Sequence, residues 1–277
     1  MLLIYIKNLE KVNNRVHSDY KFLSELGYNV VGVFVYGSNN YGMATEHSDV
    51  DTKAIVLPHF DDIVDFKDWV SKEYHRDEDG GKLEVKDIRL MFNSYLKQNI
   101  NFTETLFTKY FELNPEYAGL WLGAVVKNRE AIAHYCPHKA VLTMYGNMKT
   151  KYKQMLHRAP HNEFDIDNYG YGLKDFHHIA RLADFIKRYI ADEPYEKILI
   201  PKNPELLISY KTTPIPVEDA KRIAENLITE AEVLVDEYVM DKHFETNKEV
   251  ENVLRNVQRT MIANSLKKEL LESETKL

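Results

Sequence analysis

Asp49 and Asp51 are separated by one residue in the run Asp49-Val50-Asp51-Thr52-Lys53-Ala54-Ile55-Val56-Leu57, which reads as a strand stopped by Pro58. In a strand, residues i and i+2 point to the same face, so the two carboxylates share one small volume. Left alone they would repel, and at least one would have its pKa raised. A divalent cation removes that penalty, and hard carboxylate oxygens suit Mg2+ or Mn2+. A third carboxylate from a neighbouring strand would complete a cradle for two ions about 3.5–4 Å apart, which can clamp the attacking and leaving oxygens of an in-line phosphoryl displacement. Glu84 is the candidate, because in the alternating run Lys82-Leu83-Glu84-Val85-Lys86 its neighbours point to the core and it points away. Asp87 is the reserve; alternation puts it on the face opposite Glu84, and it can equally start the next helix.

The second chemical feature is Gly37-Ser38, which ends the apolar, β-branched run Val30-Val31-Gly32-Val33-Phe34-Val35. Glycine lets a backbone approach a phosphate closely, and a helix starting just after it would add an N-terminus that favours negative charge. Tyr41-Gly42 would make a second tight turn. Only one short helix or turn fits between Ser38 and Asp49, which sets the phosphate cradle beside the carboxylates. Gly-Ser and Asp-x-Asp are each common and uninformative alone; their meeting at strand edges, with an acidic third strand following, is far more specific.

The elements that must position these residues read as α+β: a small mixed sheet domain over residues 1–110, then a helical domain over 111–277. Asn8 to Leu26 has amphipathic helical spacing, closed by Gly27. Asp77 to Gly81 reads as an acidic turn before the third strand, and the period becomes helical from Ile88. Beyond that, Val141, Met144, Tyr145, Met148, Tyr152 and Met155 share a face, as do Leu173, Phe176, Ala180, Ala183 and Ile190. Ala220 to Tyr238 and Val250 to Met261 keep the same period, and the charged tail from Lys267 is expected to fray. Prolines 194, 201, 204, 214 and 216 mark a long connection between two of these helices.

Composition narrows the classes. Hydrophobic residues make up 44% of 277, enough for a sizeable core, and the formal net charge of -7 argues against a general coat for DNA or RNA. The single cysteine, Cys136, can form no intramolecular disulfide and lacks zinc-site partners, which points to a reducing cytoplasm. The apolar start, Met1 to Ile6, is too short for a signal-peptide core or a membrane span.

The segment from Gly37-Ser38 through Tyr41-Gly42 to Ser48-Asp49-Val50-Asp51 resembles the signature of the DNA polymerase β-like nucleotidyltransferase superfamily, and is most similar to its bacterial and phage predicted nucleotidyltransferases. The resemblance is strongest over residues 30–57 and continues more weakly to about residue 240. Asp87 to Phe92 and Lys97 to Phe107 are similar to a helix and an Asn-Pro…Glu-Leu-Leu-Phe segment, with Ile100 in place of the proline. Tyr169 to Leu182 is similar to a later Gly-Tyr…Lys…His…Arg-Leu helix. The resemblance implies an enzyme that moves a nucleoside monophosphate, most simply AMP from ATP, onto a hydroxyl acceptor with release of pyrophosphate. It implies that Gly37 and Ser38 bind the triphosphate, that Asp49 and Asp51 hold two Mg2+ or Mn2+ ions, and that Glu84, where Asp is more usual, holds the third position and serves as base. The nucleotide would lie in a cleft between the two domains, and the acceptor is left open among a small molecule, a protein hydroxyl and an RNA end.

Lys174, His178 and Arg181 fall on one helical stripe at i, i+4 and i+7. Pattern alone favours a solvated face paired with Asp175 and Asp184; the resemblance turns the stripe toward phosphate binding. Lys149 and Lys153 read as a polar helix face. Arg129 and His134 match a loose Arg-x4-His ribonuclease pattern that arises easily by chance, and Trp69 and Trp121 read as core or rim aromatics. The rival to an enzyme is a non-catalytic module of the same fold that senses a nucleotide or a partner.

Overall fold

The computed structural model describes residues 2–45, 48–76, 80–241 and 245–274, with 2–8 and 274 as backbone. Elements run in the order α1 (Leu2–Glu25), β1 (Asn29–Tyr36), β2 (Asp51–Leu57), α2 (Phe60–Val64), β3 (Ser71–His75), β4 (Lys82–Asp87), α3 (Ile88–Leu96), α4 (Ile100–Thr103), β5 (Phe111–Leu113), α5 (Pro115–Leu120) and α6 (Arg129–Ala133). They continue as α7 (Pro137–Met155), α8 (Glu163–Tyr169), α9 (Leu173–Ile190), α10 (Tyr195–Ile198), α11 (Pro204–Thr212), α12 (Val217–Asp241) and α13 (Lys248–Glu274). The fold class is the α+β arrangement expected, with one small mixed sheet and a helical remainder.

The sheet order is β3-β4-β2-β1-β5. β2 runs antiparallel to β1, with Tyr36 opposite Asp51, and parallel to β4, with Lys53 opposite Glu84. β3 and β5 close the edges in antiparallel pairs. One sheet face is apolar because α1 covers it: Val12, Val16 and Leu23 pack on Val30, Val33, Val35, Ala54, Val56, Leu83 and Val85. A register shift between Val30 and Gly32 lets Val30 and Val33 belong to the same side despite their odd spacing. Gly32 is needed where β5 passes, since a Cβ there would stand 2.7 Å from Leu113 Cδ2 and 3.0 Å from the Glu112 carbonyl. The alternate residues Phe34, Tyr36, Asp51, Lys53 and Glu84 face the other way, where Phe34 packs on Trp121 with ring centroids 5.2 Å apart. Trp121 is a core aromatic, as read from the sequence; Trp69 is half exposed under the Arg89 guanidinium.

The chain divides into two compact units, one of residues 1–97, 101–135 and 247–277, the other of 98–100 and 136–246. The boundary expected at residue 110 therefore falls inside the first unit, and α13 packs in that unit against α2, α3 and the Trp121–Val125 turn. In the second unit, α7, α11 and α12 surround α9, whose Phe176, Ile179, Phe185 and Ile186 are fully buried.

Several local expectations need correction. α1 starts at Leu2, earlier than the periodicity from Asn8 indicated. α13 runs on to Glu274 where fraying was expected from Lys267, because Ser265 and Glu269 are tied to Asn29 and to the start of α2. The proline-marked connection is not bare, since Pro204 opens α11 at a position that needs no amide donor. Residues 77–79 of the expected acidic turn lie outside the described residues. No helix among the described residues is long and apolar enough to cross a membrane.

Candidate functional site

The register of β1 on β2 assembles the site. Tyr36, the last residue of β1, pairs with Asp51, the first of β2, so Gly37-Ser38 leaves the sheet beside the strand end that carries Asp49 and Asp51. Val50 is buried in the α1-side core, which turns its neighbours Asp49 and Asp51 toward the other face. Asn39 Nδ2 holds the strand entry by donating to the Asp49 carbonyl at 2.8 Å. The Lys82 amide donates to Asp51 Oδ1 at 2.9 Å, so the start of β4 orients this carboxylate. The Asp49 carboxylate has no hydrogen-bond partner among the described residues.

Gly37 takes a left-handed φ of +78°, the conformation that glycine adopts without cost. A Cβ there would stand 3.9 Å from Asp51 Oδ2, so the turn and the carboxylate are in near contact. The helix expected after Gly37-Ser38 is a single 3-10 turn over Gly37–Asn39, closed by Asn40 N–H on the Gly37 carbonyl. The reason is local: the Met43 amide returns to the Ser38 carbonyl, and Gly42 at φ +71° ends any helical course. The Gly37 amide, expected to face a phosphate, donates instead to Glu104 Oε1 at 3.3 Å. Glu104 is 2% exposed, and its carbonyl also accepts from Asn40 Nδ2. The Ser38 hydroxyl has no partner among the described residues.

Glu84 lies on the site face as expected, but its carboxylate is already engaged. Lys53 Nζ donates to Oε1 at 2.6 Å and the Tyr36 hydroxyl donates to the same oxygen at 3.1 Å. Lys53 is 2% exposed, and its ammonium sits 3.6 Å from the Tyr36 ring centroid and 4.4 Å from that of Phe102. Burial pushes the Lys53 ammonium below its ordinary value, while Glu84 and then Glu104 hold it up. Burial, Asp51, Glu84 and Glu104 together raise the Tyr36 phenol, which stays a hydrogen-bond donor. Asp87 takes the other role offered to it: it caps α3 through the Arg89 amide at 2.8 Å and pairs with the Arg89 guanidinium.

Among the described residues, no group of three His, Cys, Asp or Glu side chains converges as a metal site. Asp49 and Asp51 by themselves suit a hard divalent ion of the Mg2+ kind, which takes one or two carboxylates and fills its remaining positions with water and substrate phosphate. Glu84 has one oxygen, Oε1, engaged by the buried Lys53 ammonium and the Tyr36 hydroxyl, and its Oε2 has no partner among the described residues.

Lys174, His178 and Arg181 lie on α9 in the second unit. They are not an evenly solvated stripe: Lys174 is exposed, His178 half-buried and Arg181 6% exposed. Burial lowers the His178 pKa well below the ordinary imidazole value, and His177, Arg181, Lys151 and Lys174 push it the same way. Burial therefore works against a cationic ring at His178. Asp175 does not pair with the stripe, since it takes Lys151 at 3.0 Å and His161 at 3.3 Å; Asp184 pairs with Arg188. In the Arg129 and His134 pair, His134 Nδ1 donates to the Glu130 carbonyl and Arg129 lies over the Phe107 ring.

The residues that the sequence reading passed over are Lys53, Tyr36 and Glu104. Lys53 carried a signal, being a lysine inside an apolar strand and in phase with Asp49 and Asp51. A groove of about 760 Å3 in the first unit, lined by His59, Phe60, Tyr117, Ser265 and Glu269 among others, contains none of the site residues.

No family model matches the chain, and no curated protein sequence does. Among solved structures, the chain is similar to a nucleotidyltransferase-like protein from Exiguobacterium sibiricum 255-15, at 12% identity over 96% of this chain and 92% of that one, with a TM-score of 0.33.

Proposed function

We propose that this protein is a nucleotidyltransferase that moves a nucleoside monophosphate, most simply AMP from ATP, onto a hydroxyl acceptor and releases pyrophosphate. The observation that carries the reading is the pairing of Tyr36 with Asp51, which sets the Gly37-Ser38 turn, with Gly37 at a left-handed φ, against an acidic strand end. In this reading the Ser38 hydroxyl donates to a triphosphate oxygen, and Asp49 with Asp51 holds a Mg2+ or Mn2+ ion carried in with the nucleotide. The bound ion supplies neutralisation of the charge that develops on the transferring phosphoryl group. The Tyr36 hydroxyl and the Lys53 ammonium fix Glu84 through its Oε1. Its Oε2, with no partner among the described residues, is left to accept the proton of an acceptor hydroxyl. Lys174 and Arg181 are not required for this reading.

The test is incubation with each α-labelled NTP and Mg2+ or Mn2+, with small-molecule, protein and RNA acceptors. Label transfer that Asp49→Asn and Asp51→Asn each abolish supports it; no transfer and no ion-dependent NTP binding sinks it. The engaged state of Glu84 favours a second reading, a module that binds the nucleotide without turning it over. Calorimetric NTP binding with no transfer to any acceptor would select that one.

A further inference from the structure

The Lys53 ammonium occupies an unusual position for a lysine. It is 2% exposed and lies on the same strand face as Asp51, two residues along β2. Its Nζ has three N–H groups. One meets Glu84 Oε1 at 2.6 Å, and the ammonium is otherwise flanked by the Tyr36 and Phe102 rings at 3.6 and 4.4 Å. A strongly hydrated cation is normally left at the surface. Here its buried charge has a counterpart in Glu84, which accepts its hydrogen bond, and then in Glu104.

A two-ion phosphoryl-transfer site needs a second divalent ion on its third carboxylate. In this protein that carboxylate is Glu84, and a divalent ion placed on it would lie against an ammonium whose stem is packed inside a strand. Two like charges in a partly dry site repel strongly. We infer that the Lys53 ammonium stands where a second metal ion would otherwise bind, so that the protein takes one divalent ion per bound nucleotide, on Asp49 and Asp51. Lys53 is on this view a positioning residue: it neutralises and aims Glu84 without touching the nucleotide. The inference rests on the nucleotidyltransferase reading, because it is that reading which brings an ion to Asp49 and Asp51.

The experiment counts Mn2+ ions per protein by electron paramagnetic resonance with a saturating non-hydrolysable ATP analogue, using the full chain and a protein-free control. The wild type is expected to hold one ion, Glu84→Gln to hold one, and Lys53→Arg to hold one. Lys53→Met is expected to hold two, and Lys53→Met with Glu84→Gln to return to one. A ligand role for Glu84 would instead give two ions in the wild type and one in Glu84→Gln, which overturns the inference while leaving the nucleotidyltransferase reading intact. If Lys53→Met does not fold, the comparison of wild type with Glu84→Gln still decides. No ion in any variant sinks the functional reading and this inference with it.

Discussion

Replacing Asp19 by alanine should loosen the strand that carries the site, by an amount the surroundings allow to be worked out. Asp19, on α1, is fully buried beneath the sheet. Its Oδ2 accepts from Arg15 Nε at 2.7 Å and from Thr52 Oγ1 at 2.5 Å, and its Oδ1 lies 2.9 Å from Arg76 Nε. Arg15 is 3% exposed and Arg76 13%, so neither guanidinium can recover hydration by a small movement. Removing one member of a buried ionic set leaves an uncompensated charge and costs about 3–5 kcal/mol. The Thr52 hydroxyl loses its acceptor as well, but the two effects share one group and do not add. Both tryptophans, Trp69 and Trp121, lie in the first unit, so fluorescence-detected urea unfolding reports on that unit alone. Asp19→Asn, which keeps an oxygen for Thr52, should lose less than Asp19→Ala. Arg15→Met, Asp19→Leu and Arg76→Met combined should recover most of the loss, because apolar groups of similar volume need no partners. A cost below about 1 kcal/mol for Asp19→Ala, or a triple variant as unstable as the single one, would refute the argument from buried charge. Thr52 lies between Asp51 and Lys53 in β2, so on the proposed function Asp19→Ala should also weaken NTP binding while still folded at low denaturant.

Gly37→Ala should cost about 1–2 kcal/mol in urea unfolding through its left-handed φ alone, since the added Cβ meets nothing closer than 3.9 Å. Gly37→Asn should recover part of that, because asparagine tolerates this region better; equal losses for both would point to a clash instead. His177, 4% exposed, should make the helical unit acid-sensitive. Burial pushes its imidazole from 6.5 down to about 4, against the opposing hydrogen bond to the Leu207 carbonyl. The unfolded chain then binds more protons between those values, so this contribution is complete above 6.5 and is lost as pH falls toward 4. At about 1.36 kcal/mol per unit, the loss reaches roughly 3 kcal/mol. Far-UV circular dichroism melts across that range should show a shallower slope in His177→Gln than in the wild type, the remainder belonging to His178, whose pKa burial lowers as well; equal slopes would remove His177 as a cause.

What could be read from the sequence followed from how strongly each segment's own residues dictate its state. β1, β2 and β4 were legible because Val, Ile and Leu alternate or cluster at strand period, and α9 and α12 because their apolar residues keep the helical one. β3 was not, since Ser71–His75 is an edge strand with almost nothing buried and owes its form to hydrogen bonds from β4. β5 is three residues long and exists only by pairing with β1 at Gly32. The apolar face of α13 showed in its spacing, but no spacing says which of two units that face will cover.

The site divides the same way. The Asp49 and Asp51 pair and Glu84 could be placed on one face from alternation alone. What alternation cannot carry is occupancy: whether a carboxylate on that face is free for an ion or already neutralised from within. Lys53 neutralises Glu84 from within the sheet, and its phase along β2 was as readable as that of Asp51. Lys53 is buried, and the parallel register sets Glu84 opposite it as its partner. On the one-ion inference, this inward-phased cation is the sequence signal that counts against Glu84 as a metal ligand.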